Sequence, residues 1–197
     1  DGQRQVVNKG VDMRTISTDD IEKVEIIRGI AGAEYGDVTS GVVKIERTMK
    51  PTPWRGRFKA DGFSKLFYAG KGFGWRDNKT VLNIGLDYLN AKNDPTNTLE
   101  NYQRITASVR LQNRWTADDV NIRWQNCLDY TGSIDNDKID PDINHNKEDS
   151  YRSEYHQIKW CNTLNINQKQ QQWWSAALTT NLSFSLDKIR QTKFTQL

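Results

Sequence analysis

The stretch KVEIIRGIAGAEYGDVTSGVVKI, Lys23 to Ile45, sets two apolar runs around an interior marked by Gly29, Gly32, Gly36 and Gly41. VEIIR reads as a short buried strand, AGAEY as a tight turn or helical turn, and GVVKIER as a second strand. A lone cation, Arg28, stands where the first run ends. Just upstream, STDDIEKV places Glu22 three residues after Asp19, a capping spacing that predicts a single helical turn. The glycines do not form a phosphate-binding loop. No Gly-Lys-Ser/Thr follows them, and Gly29 to Gly36 lacks the Gly-x-Gly-x-x-Gly spacing. They suit a chain that folds back tightly at backbone angles closed to other residues.

Downstream, KPTPW carries Pro51 and Pro53, a pair that favours an extended connector over a helix. This sets a linker at 51–53 between a first part, 1–50, and a second, 54–197. Beyond it the pattern becomes strict alternation, the period of a β-strand. Leu82, Ile84, Leu86 and Tyr88 alternate with Asn83, Gly85 and Asp87, and Ile105, Ala107, Val109 and Leu111 with Thr106, Ser108 and Arg110. Ile122, Trp124, Leu128 and Tyr130 alternate with Arg123, Gln125 and Asp129, and Ile158, Trp160, Leu164 and Ile166 with Lys159, Thr163 and Asn165. The last run sets Leu178, Leu182, Phe184 and Leu186 against Thr179, Asn181, Ser183 and Asp187. With two glycine-rich strands expected within 54–75, about seven antiparallel strands follow the linker.

Their connections alternate in length. RDNK (76–79), TADD (116–119) and QKQQQ (168–172) are short, whereas 93–103 and 132–151 are long. Trp54, Trp75, Trp115, Trp173 and Trp174 fall near the prolines or short turns, and Tyr88, Tyr102, Tyr130 and Tyr155 near the long connections. Short turns at one end, long loops at the other and an aromatic girdle at each rim are the marks of a transmembrane β-barrel. A soluble β-sandwich explains the alternation but not the rhythm of the loops. In a barrel only alternate residues face lipid, so the composition stays polar: 36% of residues are hydrophobic and 27% charged. The formal charge of +3 is unclustered, with no basic tract that would argue for nucleic acid.

An enzyme finds little support. His145 and His156, the two histidines, lie in different segments with no nucleophile or second ligand at useful spacing. The loop 132–151 is acidic, and DPDIN puts Asp140, Asp142 and Asn144 at positions 1, 3 and 5 of a calcium loop. His145 stands where that loop needs glycine and Tyr151 where it needs a bidentate glutamate, so a solvated loop without metal is expected. Asp135, Asp137, Asp140 and Asp142 are its candidate ligand-facing residues. No cofactor is expected.

Cys127 and Cys161 flank this loop. A hairpin symmetric about Asn144 would oppose Leu128 to Trp160, Trp124 to Leu164 and Cys127 to Cys161, both cysteines on the polar face. Opposed residues come near the upper end of disulfide range, but a loop of this length does not fix register. Two thiols are the default expectation, with a disulfide as the alternative.

The chain opens DGQRQVVNKG, which lacks the features of a signal peptide, and closes QTKFTQL in what reads as mid-strand. An internal piece of a longer chain is expected.

The run IEKVEIIRGIAGAEYGDVTSGVVKIERTMK resembles the end of the plug domain of TonB-dependent outer-membrane receptors. Ile21, Glu22, Val24, Glu25, Arg28, Gly29, Tyr35, Gly36, Gly41, Val42, Ile45, Thr48 and Lys50 match the family pattern. Ile30 replaces the usual proline, Glu34 an apolar residue and Ser40 the first of a glycine pair. Together with GRFKADGFSKLF, the stretch looks closest to SusC-like and related nutrient receptors. The resemblance implies the C-terminal part of an α+β plug in 1–50, followed by the first strands of an incomplete transmembrane barrel of roughly 22 strands. It implies that Arg28 and Glu25 anchor plug to barrel, and that Gly29, Gly32, Gly36 and Gly41 let the plug turn inside a crowded lumen. It further implies energised uptake of a small nutrient ligand across the outer membrane of a Gram-negative bacterium. TonB, with ExbB and ExbD, would act through a segment preceding residue 1, and the resemblance also allows a surface lipoprotein partner. The alternative is a passive barrel, porin or adhesin, which has no need of residues 19–50.

Overall fold

A computed structural model describes residues 16–27, 42–92, 94, 96, 99–117, 119–138, 149–168 and 176–195. The chain divides into two units, Ser17–Thr48 and the remainder. Every regular element among the described residues is a strand.

In the smaller unit, β1 (Ile21–Ile27) pairs antiparallel with β2 (Val42–Arg47), setting Val24 opposite Ile45 and Glu25 opposite Lys44. The expected helical turn at Asp19–Glu22 is not there. Asp19 and Asp20 make a turn, and Glu22 is already in β1. The β-branched residues of β1 extend to meet β2, and Arg47 closes the end by an ion pair with Asp20 and a 3.2 Å hydrogen bond to the Ser17 carbonyl. Nor is the strand buried throughout: Val24 and Ile26 are both more than half exposed.

The larger unit is a seven-stranded antiparallel meander. Its strands are β3 (Thr52–Ala60), β4 (Ser64–Trp75), β5 (Thr80–Ala91), β6 (Asn101–Ala117), β7 (Val120–Lys138), β8 (Ser150–Gln168) and β9 (Ala177–Phe194), each paired with the next in sequence. The expected number of strands and the expected alternation both hold. Directly opposed residues of an antiparallel pair share a face, so the register defines two faces. One row runs Ile84, Val109, Leu128, Trp160, Phe184; the neighbouring row on the opposite face runs Asn83, Arg110, Cys127, Cys161, Ser183. The hairpin symmetric about Asn144 is realised, with Leu128 opposite Trp160 and Trp124 opposite Leu164.

Strands run longer than the sequence suggested. β7 continues to Lys138 and β8 begins at Ser150, so the outer parts of 132–151 are ladder rather than loop. The chain between 133 and 138 has neither Gly nor Pro to stop it, and each extra residue pairs across the hairpin. The connection rhythm is also weaker than expected, because the link at 61–63 is short although it lies at the same end of the sheet as 92–100 and 139–149. At the other end, the turn at 76–79 places Arg76, Asp77 and Asn78 in the left-handed region at φ 53°, 56° and 63°. Asp and Asn tolerate that region better than most residues do.

The burial pattern is the reverse of a soluble sheet. The buried side chains include Asn83, Asp87, Arg104, Arg110, Gln112, Thr131, Ser133 and Ser153, all on the polar face. The apolar face is open. Leu128 is 48% and Leu182 62% exposed, whereas Asp87 is 1%. Among the described residues of this unit, no second sheet or helix covers it. Leu82, Ile84, Leu86, Ile105, Val109, Ile122, Trp124, Leu178 and Leu182 all project from it. On β6 the belt runs from Ile105 to Trp115, about 33 Å along a strand and roughly 24 Å high at a 45° tilt, close to the apolar band of an outer-membrane barrel.

Candidate functional site: the polar face and its anchors

Alternate positions of β3–β9 assemble a wall of hydrogen-bonding groups. At its centre the Asp87 carboxylate accepts from Arg104 Nη2 at 2.5 Å and Nε at 3.2 Å. Both side chains are almost fully buried, 4% and 2% exposed for Arg104 and Asp87. A guanidinium held this way is oriented for further donors, and Arg104 Nη1 donates to the Ile16 carbonyl at 3.1 Å. Six residues further along β6 on the same face, Arg110 donates to Asp129 at 2.8 Å and to Ser108 Oγ at 3.2 Å. The amides of Gln112 and Gln125 meet at 2.9 Å, and Gln125 Nε2 reaches Met49 Sδ at 3.0 Å.

The chain enters the sheet across this same face. Asn83 Nδ2 donates to the Lys50 carbonyl at 2.9 Å. The crossing is close: a Cβ at Gly72 would stand 2.5 Å from that carbonyl oxygen and 2.8 Å from the Thr52 nitrogen. Only glycine leaves the backbone room to pass. Beside it, the Tyr68 ring covers Gly70 and Gly85, an aromatic filling the space of two missing side chains. Residues on both sides of the 17–48 unit, Ile16 before it and Lys50 after it, are therefore bonded to the polar face.

Further along, Asp187 accepts from Tyr155 Oη at 3.0 Å and from Gln157 Nε2 at 2.7 Å. Among the described residues, Asn83 Oδ1, Asp87 Oδ2 and Ser133 Oγ are buried without a hydrogen-bond partner. The face thus retains capacity for water or a polar solute. It offers both charges and neutral donors. Among the described residues no group of three or more His, Cys, Asp or Glu side chains could hold a metal ion.

Of the residues singled out from sequence, Arg28, Gly29, Gly32, Gly36, Gly41, Asp140 and Asp142 lie outside the described residues. Glu25 is in β1, 3.4 Å from Lys23. Asp135 and Asp137, expected in a loop, are on the polar face of β7, where Asp135 stands between Tyr102 and Ser153 and Asp137 opposite Tyr151. Trp54, Trp75 and Trp115 stand exposed at the short-turn rim as expected, and Trp173 and Trp174 lie outside the described residues. Tyr88 and Tyr130 share the apolar face at the other rim, but Tyr102 and Tyr155 do not belong to a girdle, since the register turns both to the polar face. Asp87, Arg104, Arg110 and Asn83 were missed as a group. Their signal was present: charges recurring at alternate positions opposite an apolar stripe.

No family model, no curated protein and no solved structure matches the chain. No helix among the described residues is long and apolar enough to cross a membrane, which leaves β-barrels untouched.

Proposed function

We propose that β3–β9 is part of the wall of a transmembrane β-barrel in a Gram-negative outer membrane. On this reading 17–48 belongs to a plug, and the whole acts as a TonB-dependent importer of a small nutrient. The observation that carries it is the inversion of burial, with Arg104, Arg110 and the Asp87 carboxylate buried on one face and leucines, tryptophans and Val109 exposed on the other. In water such a face would be covered or would aggregate; facing lipid, it is in its proper solvent. On this reading the face that bonds Ile16 and Lys50, the residues next to the 17–48 unit in the chain, would be the lumen face, which supports a plugged barrel over a passive one. The resemblance of 21–50 to these receptors ties the reading to TonB, with ExbB and ExbD, which would act through a segment preceding residue 1, and Arg28 and Glu25 would anchor the plug. Asp140 and Asp142, with the extended hairpin bearing Asp135 and Asp137, would face the ligand outside the cell.

Cys127 and Cys161, on the polar face, are native reporters. In intact cells, a membrane-impermeant maleimide should label them faster when nutrient is present and TonB is active. Labelling that ignores TonB would turn the reading to the passive barrel. A thiol introduced by Leu128→Cys, in a background lacking the native two, should stay protected throughout. If that thiol reacts as freely as one in water, the apolar face is not in lipid.

A further inference from the structure

On β8 and β9 the apolar belt stops at Ile158 and Leu186, which face each other. The next outward pair is His156 with Lys188, then Glu154 with Arg190, then Arg152 with Thr192. His156 is held at the rim by Tyr130, whose hydroxyl lies 3.0 Å from its Nδ1. Arg152 engages the carboxylate in this group, pairing with Glu154 at 2.8 Å. Lys188 and Arg190 are exposed, with no ion pair to a carboxylate among the described residues. On β6–β9 the outward positions toward the opposite rim are Trp115, Ile122, Trp124, Ile166, Leu178 and Thr180, which carry no charge. An outward cation on β4, Lys71, is taken up by the Trp54 and Phe73 rings. On β8–β9 the cations therefore gather beyond one rim of the belt, at the end that holds the 139–149 connection.

We infer that the outward face of β8–β9 just past the belt is a docking surface for the phosphorylated headgroup of an outer-leaflet glycolipid. This rests on the membrane reading above. Lys188 and Arg190, two positions apart on one strand and so about 7 Å from each other, straddle one phosphate group. The guanidinium can take two of its oxygens at once. Ile158, Trp160, Phe184 and Leu186 lie directly below for the acyl chains. Glu154, the single carboxylate of the patch, is already engaged by Arg152 and does not oppose an anion there. Charge and belt follow each other in the order of headgroup and chains.

The test folds the full chain into phosphatidylcholine vesicles containing diphosphoryl lipid A or its dephosphorylated form, then measures glycolipid retained after gentle detergent extraction by native mass spectrometry. The phosphorylated form should be retained and the dephosphorylated one lost. Near an anionic surface each cation is worth about fivefold, so Lys188→Gln with Arg190→Gln should cut retention roughly thirtyfold. Lys159→Gln, on the polar face of the same strand pair, should change nothing. Equal retention by the double variant, or equal retention of both glycolipids, overturns the inference. So does displacement of the glycolipid by free inorganic phosphate at equal concentration, which would mean that phosphate alone is read. Insertion is scored separately in plain phosphatidylcholine vesicles: a chain that alkaline carbonate strips from them fails the membrane reading, and the inference with it.

Discussion

Cys127 stands directly opposite Cys161 across the β7–β8 pair, and no disulfide joins them. The ladder explains why. The Gln168 amide donates to the Ala176 carbonyl of the facing strand at 2.8 Å, so even-numbered residues of β8 point their backbone groups toward β9. Odd-numbered ones, Cys161 among them, point toward β7. The cysteines therefore form a hydrogen-bonded pair, the wider of the two antiparallel spacings. Its Cβ separation of about 5.5 Å exceeds the roughly 3.8 Å that a relaxed disulfide prefers. A mild oxidant should leave both thiols titratable. Moving the pair one position, to Asn126→Cys and Asn162→Cys in a Cys127→Ser, Cys161→Ser background, should give rapid closure. Thiol titration and non-reducing electrophoresis after cleavage in the intervening loop would decide between them.

Asp87→Ala should be among the costliest single substitutions in the sheet. It strands the Arg104 guanidinium in a buried position and loosens the donor that holds the Ile16 carbonyl. Breaking one side of such a pair costs about 3–5 kcal/mol. Urea unfolding in lipid vesicles should show that loss, and Asp87→Leu with Arg104→Met should recover much of it.

Within the apolar belt, Asn126 and Asn162 face each other and bond through their amides at 2.7 Å. On the membrane reading, Asn126→Leu alone would leave Asn162 without its amide partner against lipid, at a cost of about 1–2 kcal/mol. Replacing both with Leu should restore or exceed the original stability. Unfolding midpoints of the two singles and the double form the required cycle.

In the 61–63 connection the Asp61 pKa is lowered to about 2, chiefly by the Lys59 ammonium and then by the Ser64 and Phe63 amides. A carboxylate whose folded pKa lies below its unfolded value stabilises above the unfolded value, near 3.8. That contribution fades as pH falls through about 2. The Asp61 carboxyl carbon should therefore titrate near 2 by NMR, and Lys59→Gln should move it upward.

Much of the sheet was legible because a period of two survives any polar composition. The alternation at 80–92 and 120–131 named the faces, and the symmetry of the hairpin about Asn144 named the cysteine register. Strand ends were not legible where both faces become polar: Asp135, Asn136 and Asp137 look like loop residues, yet they pair residue by residue with β8. Asp19–Glu22 misled because a capping spacing is local, whereas β1 is set by pairing with a strand distant in sequence, as where Ile21 meets Arg47. The Asp87–Arg104–Ile16 connection spans 88 positions from Ile16 to Arg104, a contact that only the folded chain creates.

Because the larger unit is a single layer, with Tyr68, Val81 and Tyr102 its only buried apolar side chains among the described residues, it has little interior of its own. On the membrane reading, the acyl chains take the place of a hydrophobic core. Unfolding should then respond to lipid length as a soluble domain responds to core substitutions. The optimum should fall where the hydrocarbon matches the Ile105–Trp115 belt, and stability should decline on either side by a fraction of a kcal/mol per ångström of mismatch. The solvent, more than the sequence, would be the place to engineer its stability.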